Sequence, residues 1–213
     1  SYTETLLDGA VSDPETARSF LGIIDSEADR MNRLVKDLLQ LSRMENNQEK
    51  WNMKESDLVK LLTSAVTKVA LTAEAKKQKL NCLFEADARV AVVMDKDRIE
   101  QVILNVLANA INYTQEGGRI DIDLVVQDRE AHIIIDDNGI GIPEDEQSRV
   151  FERFFRVDKA RSRSMGGTGL GLAISKQIIE EHNGRIELTS RENKGTKVKI
   201  ILPLSPAVTR GIP

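Results

Sequence analysis

From Pro14 to about Asn46 the apolar residues Ala17, Leu21, Ile24, Ala28, Met31, Val35 and Leu38 recur at spacings of four and three, and Leu34 and Leu41 widen the stripe. That period belongs to an amphipathic helix and predicts one long element with a single face to be covered. Asp13-Pro14 is a start signal, because proline at the first helical position sacrifices an N–H that has no partner there. Residues 1–8 read as the last turns of a preceding helix, with Gly9 beginning the bend. The two form a helical hairpin whose stripe needs a second copy of the chain to cover it. The chain opens inside an element without an initiator Met, so the expectation is a piece of a longer protein.

After a polar link, 47–53, ending near Trp51, the pattern changes to alternating helices and strands. Ser56 is placed to cap a helix running to about Lys77, with Leu58, Leu61, Leu62, Ala65, Val69 and Leu71 on its apolar side. Short strands are predicted at 80–85 and 89–94, and Asp95 opens a helix through Thr114 that Gly117-Gly118 breaks. Ile120, Ile122 and Leu124 alternate with charged residues, and Ile133 and Ile135 resume the alternation after a polar turn near 127–130, which reads as a hairpin with one wet face. A helix at about 169–182 and a strand pair, 185–190 and 196–202, complete the set. The fold class is α+β: a partial helical hairpin followed by a two-layer α/β sandwich, helices on one face of an antiparallel-rich sheet.

Composition narrows the partners. A mildly acidic chain, net charge −4, is a poor general binder of nucleic acid. Residues 1–50 hold 6 Lys/Arg against 10 Asp/Glu, and the remainder is balanced, so charge and pattern divide the chain at the same place. One cysteine, Cys82, and no Cys/His cluster exclude an internal disulfide and a structural zinc. Between 149 and 163, Arg149, Arg153, Arg156, Lys159, Arg161 and Arg163 outnumber Glu152 and Asp158, a stretch suited to an anion.

Three signals carry chemistry. Asn105, Asn109 and Asn112, at offsets of four and seven, fall within about 60° of one another on the helix 95–114; they are a solvated stripe or a strip facing a ligand or metal oxygens. Asp137 closes the row Ile133, Ile135, Asp137, placing a carboxylate on a core-facing side where it needs donors, such as a ligand amine. Gly139 and Gly141 let the backbone pass close to a flat ring; the plain alternative is a turn with a capping Asp. Finally, Gly166-Gly167-Thr168-Gly169-Leu170-Gly171 feeds a helix start, a source of free N–H groups for phosphate. It is neither a dinucleotide fingerprint, since no strand directly precedes it, nor a Walker A loop, since no Gly-Lys-Ser/Thr follows.

In this order and spacing the three signals resemble the N, G1 and G2 boxes of the GHKL (Bergerat-type) ATP-binding domains. Phe151-Glu152-Arg153-Phe154-Phe155-Arg156 between them resembles the F box of sensor histidine kinases, and Leu34 to Ser42 is similar to the dimerisation hairpin of one type of these kinases. The resemblance implies a partial dimerisation and phosphotransfer hairpin at 1–47, a linker at 48–54, a catalytic ATP-binding domain at 55–204 and a tail at 205–213. It implies ATP and Mg²⁺ as ligands. Asp137 would take the adenine amine, with Gly139 and Gly141 shaping that wall. Asn105 and Asn109 would be the catalytic pair that holds Mg²⁺ and the phosphates, beside Asn112 and Tyr113. Arg156, Gly167, Thr168, Gly169, Leu170 and Gly171 would form the lid. Partners would be a second copy and the receiver domain of a response regulator, with no nucleic acid and membrane contact only through segments outside this chain, the whole being the cytoplasmic part of a membrane-anchored bacterial sensor. Two positions depart from the pattern: Asn112 stands where lysine is frequent, and Phe155 where tyrosine is. Asn105 stands where hydrolysing relatives such as gyrase and MutL have a water-activating Glu, and an amide is a poor general base. Of two histidines, His132 reads as a surface residue and His182 as a cation at a helix C-terminus, so the acceptor histidine is expected upstream of Ser1. The alternatives are a GHKL ATPase that hydrolyses ATP and a non-catalytic dimerising module.

Overall fold

The computed structural model describes residues 1–46, 48–157 and 167–206. Asn47 at the hairpin boundary, Asp158, Lys159, Arg161 and Arg163 of the basic stretch, Gly166 of the glycine loop and residues 207–213 of the tail lie outside the described residues.

Helix α1 (Tyr2–Leu7) starts with a reciprocal capping box between Ser1 and Glu4. After Gly9 and a short 3₁₀ turn (Ala10–Ser12), α2 runs over Pro14–Glu45, capped by Asp13, whose carboxylate accepts from Glu15 N–H. The two helices meet through Leu6, Ala17 and the Tyr2–Phe20 ring pair, centroids 5.2 Å apart. Along the middle of α2 the stripe residues Leu21, Met31, Val35 and Leu38 are exposed in the single chain. At its end the stripe finds cover: Leu41 and Met44 join the core of the second part.

That core is a sheet with helices on one side. Strand β1 (Lys54–Asp57) pairs antiparallel with β3 (Ala91–Met94) in a separate ribbon, and helix α3 (Leu58–Ala75) follows β1 directly. This shifts the expected cap by one residue: Ser56 lies in the strand with its hydroxyl on Lys54 O, and the Asp57 carboxylate accepts from Val59 N–H at 3.1 Å. Strand β2 (Lys79–Cys82), helix α4 (Lys96–Tyr113, capped by Asp95), strands β4 (Arg119–Gln127) and β5 (Glu130–Asp137), the short α5 (Glu144–Gln147), helix α6 (Gly171–Glu181) and strands β6 (Arg185–Arg191) and β7 (Gly195–Pro203) complete the chain. The sheet order is β2-β4-β5-β7-β6, antiparallel except for β2 beside β4. Ile120, Ile122, Ile133, Ile135 and Ile200 pack against Ile99, Ile103 and Leu107 of α4 and Ile174 and Ile178 of α6. The other face carries ion pairs such as Lys197–Asp136 at 2.9 Å and Arg185–Glu130 at 2.6 Å.

Both histidines differ from expectation in their surroundings. His132 does lie on the face opposite Ile133 and Ile135, but its side chain is only 13% exposed and its Nε2 sits 3.3 Å from Glu130. His182 is buried rather than a solvated cation. Its Nε2 accepts from Asp95 N–H at 2.9 Å, and its Nδ1–H donates to Ile178 O at 2.7 Å, so both nitrogens are committed in the neutral form. Burial accordingly pushes its pKa below the usual value, against the pull of its hydrogen bond to Ile178 and of the Asp95 and Glu181 charges. Trp51 packs edge-on against the ring, centroids 5.5 Å apart, and Asn52 N–H donates to Asp95, so this helix cap also anchors the link from α2.

Candidate functional site

A cavity of about 390 Å³ opens between α4, the end of β5, the segments 140–142 and 155–157, and the loop 167–171. Alternation along β5 delivers Asp137 to it on the buried side, and the residue keeps only 7% exposure. The carboxylate accepts from Gly139 N–H at 2.8 Å and from Thr196 N–H at 3.3 Å, Thr196 being its register partner on β7. Burial outweighs these two bonds and, helped by the Asp136 charge, pushes the carboxyl up to about 6. A carboxylate held so is an acceptor short of donors.

The neighbouring backbone is shaped by close approach. A Cβ on Gly139 would lie 2.4 Å from Tyr113 O, so that glycine lies under the end of α4 and does not line the cavity itself. Gly141 does line it, at φ +67°, where a Cβ would fall 2.0 Å from Arg191 O. The wall they build is fastened by Ile142 N–H to Ser190 Oγ and by the Gln147 amide to Ile142 O and Ser190 O, each at 2.9 Å.

The three asparagines all reach the cavity from α4. Asn105 Nδ2 donates to Gly171 O at 2.9 Å and Ser175 Oγ at 3.3 Å, tying α4 to the start of α6 and leaving Oδ1 without a partner among the described residues. Asn109 has no side-chain hydrogen bond there to another described residue, and Tyr113 lines the same space. Arg156 presents the opposite polarity: its Nε and Nη2 are buried without a hydrogen-bond partner among the described residues. A cation in that state is costly unless an anion completes it. Gly167, Thr168, Gly169 and Gly171 also line the cavity, whereas Leu170 is fully buried in the core and contributes only its N–H, to Thr168 Oγ1 at 3.3 Å.

Residues 94–206 match the family described as "Histidine kinase-, DNA gyrase B-, and HSP90-like ATPase". The chain belongs to that family. Residues 1–47 match the "His Kinase A (phospho-acceptor) domain", so the two matched segments together are those of a histidine kinase core. The chain is 39% identical over 205 residues to the sensor histidine kinase WalK of Bacillus subtilis (95% of this chain, 33% of the relative). It is 41% identical over 208 residues to the sensor protein kinase WalK of Staphylococcus aureus (95% of this chain, 49% of the relative). It therefore spans between a third and a half of the length of these relatives. Among solved structures it is similar to the mycobacterial sensor histidine kinase MprB, with TM-score 0.63, 32% identity, and coverage of 72% of this chain and 99% of that one. It is also similar to histidine kinase ThkA in complex with response regulator protein TrrA, with TM-score 0.72, 26% identity, and coverage of 92% and 53%.

The donor set fits the family's ligands. Among the described residues no three His, Cys, Asp or Glu side chains come together to hold a metal ion. A hard cation would rest on the Asn105 and Asn109 amide oxygens and on the phosphates it accompanies, as Mg²⁺ does. Sequence reasoning missed the contribution of α2. Arg33 and Asp37 line the cavity, and Asp37 accepts from Thr168 Oγ1 at 2.9 Å across 131 residues of chain. Gln40 and Gln101 exchange two amide bonds at 3.0 Å, and Arg153 of the basic stretch is ion-paired with Glu45 of the hairpin. Arg149 instead lies over the Phe155 ring, 4.4 Å from its centroid. No local pattern marks Arg33 or Asp37, which sit among other charged residues on a helix.

Proposed function

We propose that this chain is the ATP-binding and dimerising portion of a sensor histidine kinase, with a hairpin at 1–47, a linker at 48–54, an ATP-binding domain at 55–204 and a tail at 205–213. In this reading Asp137 takes the adenine amine. Arg156, Asn109 and the 167–171 backbone hold the phosphates, and Mg²⁺ on Asn105 and Asn109 supplies charge neutralisation. The observation that carries it is the pairing, within one cavity, of a buried carboxylate short of donors with a guanidinium whose Nε and Nη2 are buried and have no partner among the described residues. An adenine nucleotide offers an amine to the first and phosphates to the second.

The γ-phosphoryl group would pass to a histidine and then to an aspartate of a response regulator. Such transfer rests on in-line positioning and charge neutralisation rather than on a protein base. Asn105 supports transfer over hydrolysis, because an amide bonded to Gly171 O and Ser175 has no proton-accepting role to offer a water. Neither His132, on the outer face beside Glu130, nor His182, with both nitrogens bonded, offers an acceptor, so the substrate histidine is one that residues 1–213 do not contain. The exposed Leu21, Met31, Val35 and Leu38 stripe supports a homodimer through the hairpin. Among the described residues no helix is long and apolar enough to cross a membrane, and the proposed setting is the cytoplasmic side of an anchored sensor.

The test is calorimetric titration with a non-hydrolysable ATP analogue and Mg²⁺, together with labelling from radioactive ATP. The chain should bind the analogue, remain unlabelled alone and release no phosphate steadily. Absence of binding, or steady phosphate release, overturns the reading, the latter in favour of a hydrolase.

A further inference from the structure

The Asn112 amide has a single side-chain partner among the described residues, and that partner dictates which way round it sits. Lys76, just beyond the end of α3, reaches the last turn of α4, where its Nζ donates to Ile111 O at 3.0 Å and to Asn112 Oδ1 at 3.3 Å. An ammonium donates and cannot accept, so the amide has to turn its oxygen toward Lys76. The NH₂ group is then left as the free end of a side chain that lines the cavity.

Lys76 is not a swinging surface lysine. Its N–H donates to Ala73 O at 3.0 Å, its carbonyl accepts from Gly117 N–H at 3.1 Å, and the side chain is half-buried. Two residues on, the buried Gln78 amide bonds Ile111 O at 3.0 Å and Thr114 O at 2.8 Å, fastening the same segment to the same helix end. A cation there also meets carbonyls that have no partner within the helix, and the negative pole of the α4 C-terminus. Where the family resemblance leads one to expect lysine at 112, this chain has an amide backed by an ammonium.

We propose that Lys76 is a positioning residue of the nucleotide site, holding Asn112 so that its NH₂ donates to a phosphate oxygen of the bound nucleotide. The proposal rests on the ATP-binding reading. A donor polarised from behind by a cation suits an anion, and the cavity already sets Arg156 toward one. Lys76 thus supplies, one layer back, the positive charge that the position itself lacks.

Two measurements test it. In ligand-free protein, Asn112→Lys would set two ammonium groups together, so urea denaturation should show a loss of stability that Lys76→Met largely relieves; equal losses in both backgrounds overturn the contact. In the second, a non-hydrolysable ATP analogue with Mg²⁺ and plain adenosine are titrated into each variant. Lys76→Met should weaken the analogue by about fivefold, the scale of one hydrogen bond, with adenosine unchanged, which also certifies the fold. Lys76→Arg should bind the analogue nearly as wild type does, and Lys76→Met combined with Asn112→Ala should bind it no more weakly than Asn112→Ala alone. Wild-type affinity in Lys76→Met, an equal loss for adenosine, or multiplied losses in the double variant overturn the proposal alone. Wild-type protein that binds neither ligand overturns the nucleotide reading and, with it, the ligand assigned here.

Discussion

Asp137 is held against its own preference, and replacing it with asparagine should stabilise the empty protein while weakening the nucleotide binding proposed for it. The folded carboxyl is raised from 3.8 to about 6, chiefly by burial. At 1.36 kcal/mol per pH unit this corresponds to about 3 kcal/mol of cost once both states are ionised. The folded state holds its proton longer than the unfolded one, so this group's stability is complete below 3.8 and is lost as pH rises to about 6. Asparagine stays neutral, and its Oδ1 can keep the Gly139 and Thr196 N–H bonds. Urea unfolding of ligand-free protein should therefore find Asp137→Asn more stable than wild type by up to about 3 kcal/mol at pH 7, with the gap closing toward pH 4. Other groups titrate alike in both proteins and cancel in the difference. If Asp137 takes the adenine amine as proposed, the variant's new NH₂ would face that amine donor to donor, and analogue affinity should fall at least about tenfold. A variant no more stable at pH 7, or equally stabilised at pH 4 and pH 7, refutes the account of a strained, ligand-awaiting carboxylate.

Three further outcomes follow from the same geometry. Asp37 puts a carboxylate on the cavity and ties down Thr168, so Asp37→Ala should tighten the ATP analogue by roughly two- to tenfold, less at high salt, in a calorimetric titration. His182 is neutral with its pKa held down, so the stability it contributes is present above 6.5 and is lost as pH falls below it; the emission of Trp51, the one tryptophan, should change over that acid range in wild type and stay flat in His182→Asn. Gly141→Ala would force a Cβ to 2.0 Å from Arg191 O and should cost more than about 2 kcal/mol, whereas Gly22→Ala, in the middle of α2 with nothing within 4 Å, should gain about 0.5–1 kcal/mol; paired urea curves check both.

Elements with a strong internal period were legible, and those defined by distant pairing were not. Asp95 as the cap of α4, the β4–β5 hairpin and the placement of Asp137 in line with Ile133 and Ile135 all follow from spacing alone. Strand β1 was invisible because Lys54-Glu55-Ser56-Asp57 has no apolar alternation; it exists through pairing with Ala91–Met94 far along the chain, which also moved the α3 cap to Asp57. His182 looked like a helix-end cation, yet the Asp95 N–H and the Trp51 ring surround it, and burial favours its neutral form.

The residues that come together at the cavity were legible largely in local pattern: an asparagine face, a carboxylate ending a core row, and glycines where the backbone must pass close. These depend on helical and strand periods, which a single stretch of chain already contains. Which amide faces a cation, which arginine lacks a partner, and which helix closes the cavity depend on atoms brought together from up to 131 residues apart, as Thr168 and Asp37 are. Short-range geometry repeats and can be counted along a chain, whereas burial and long-range pairing arise only once the whole chain has packed.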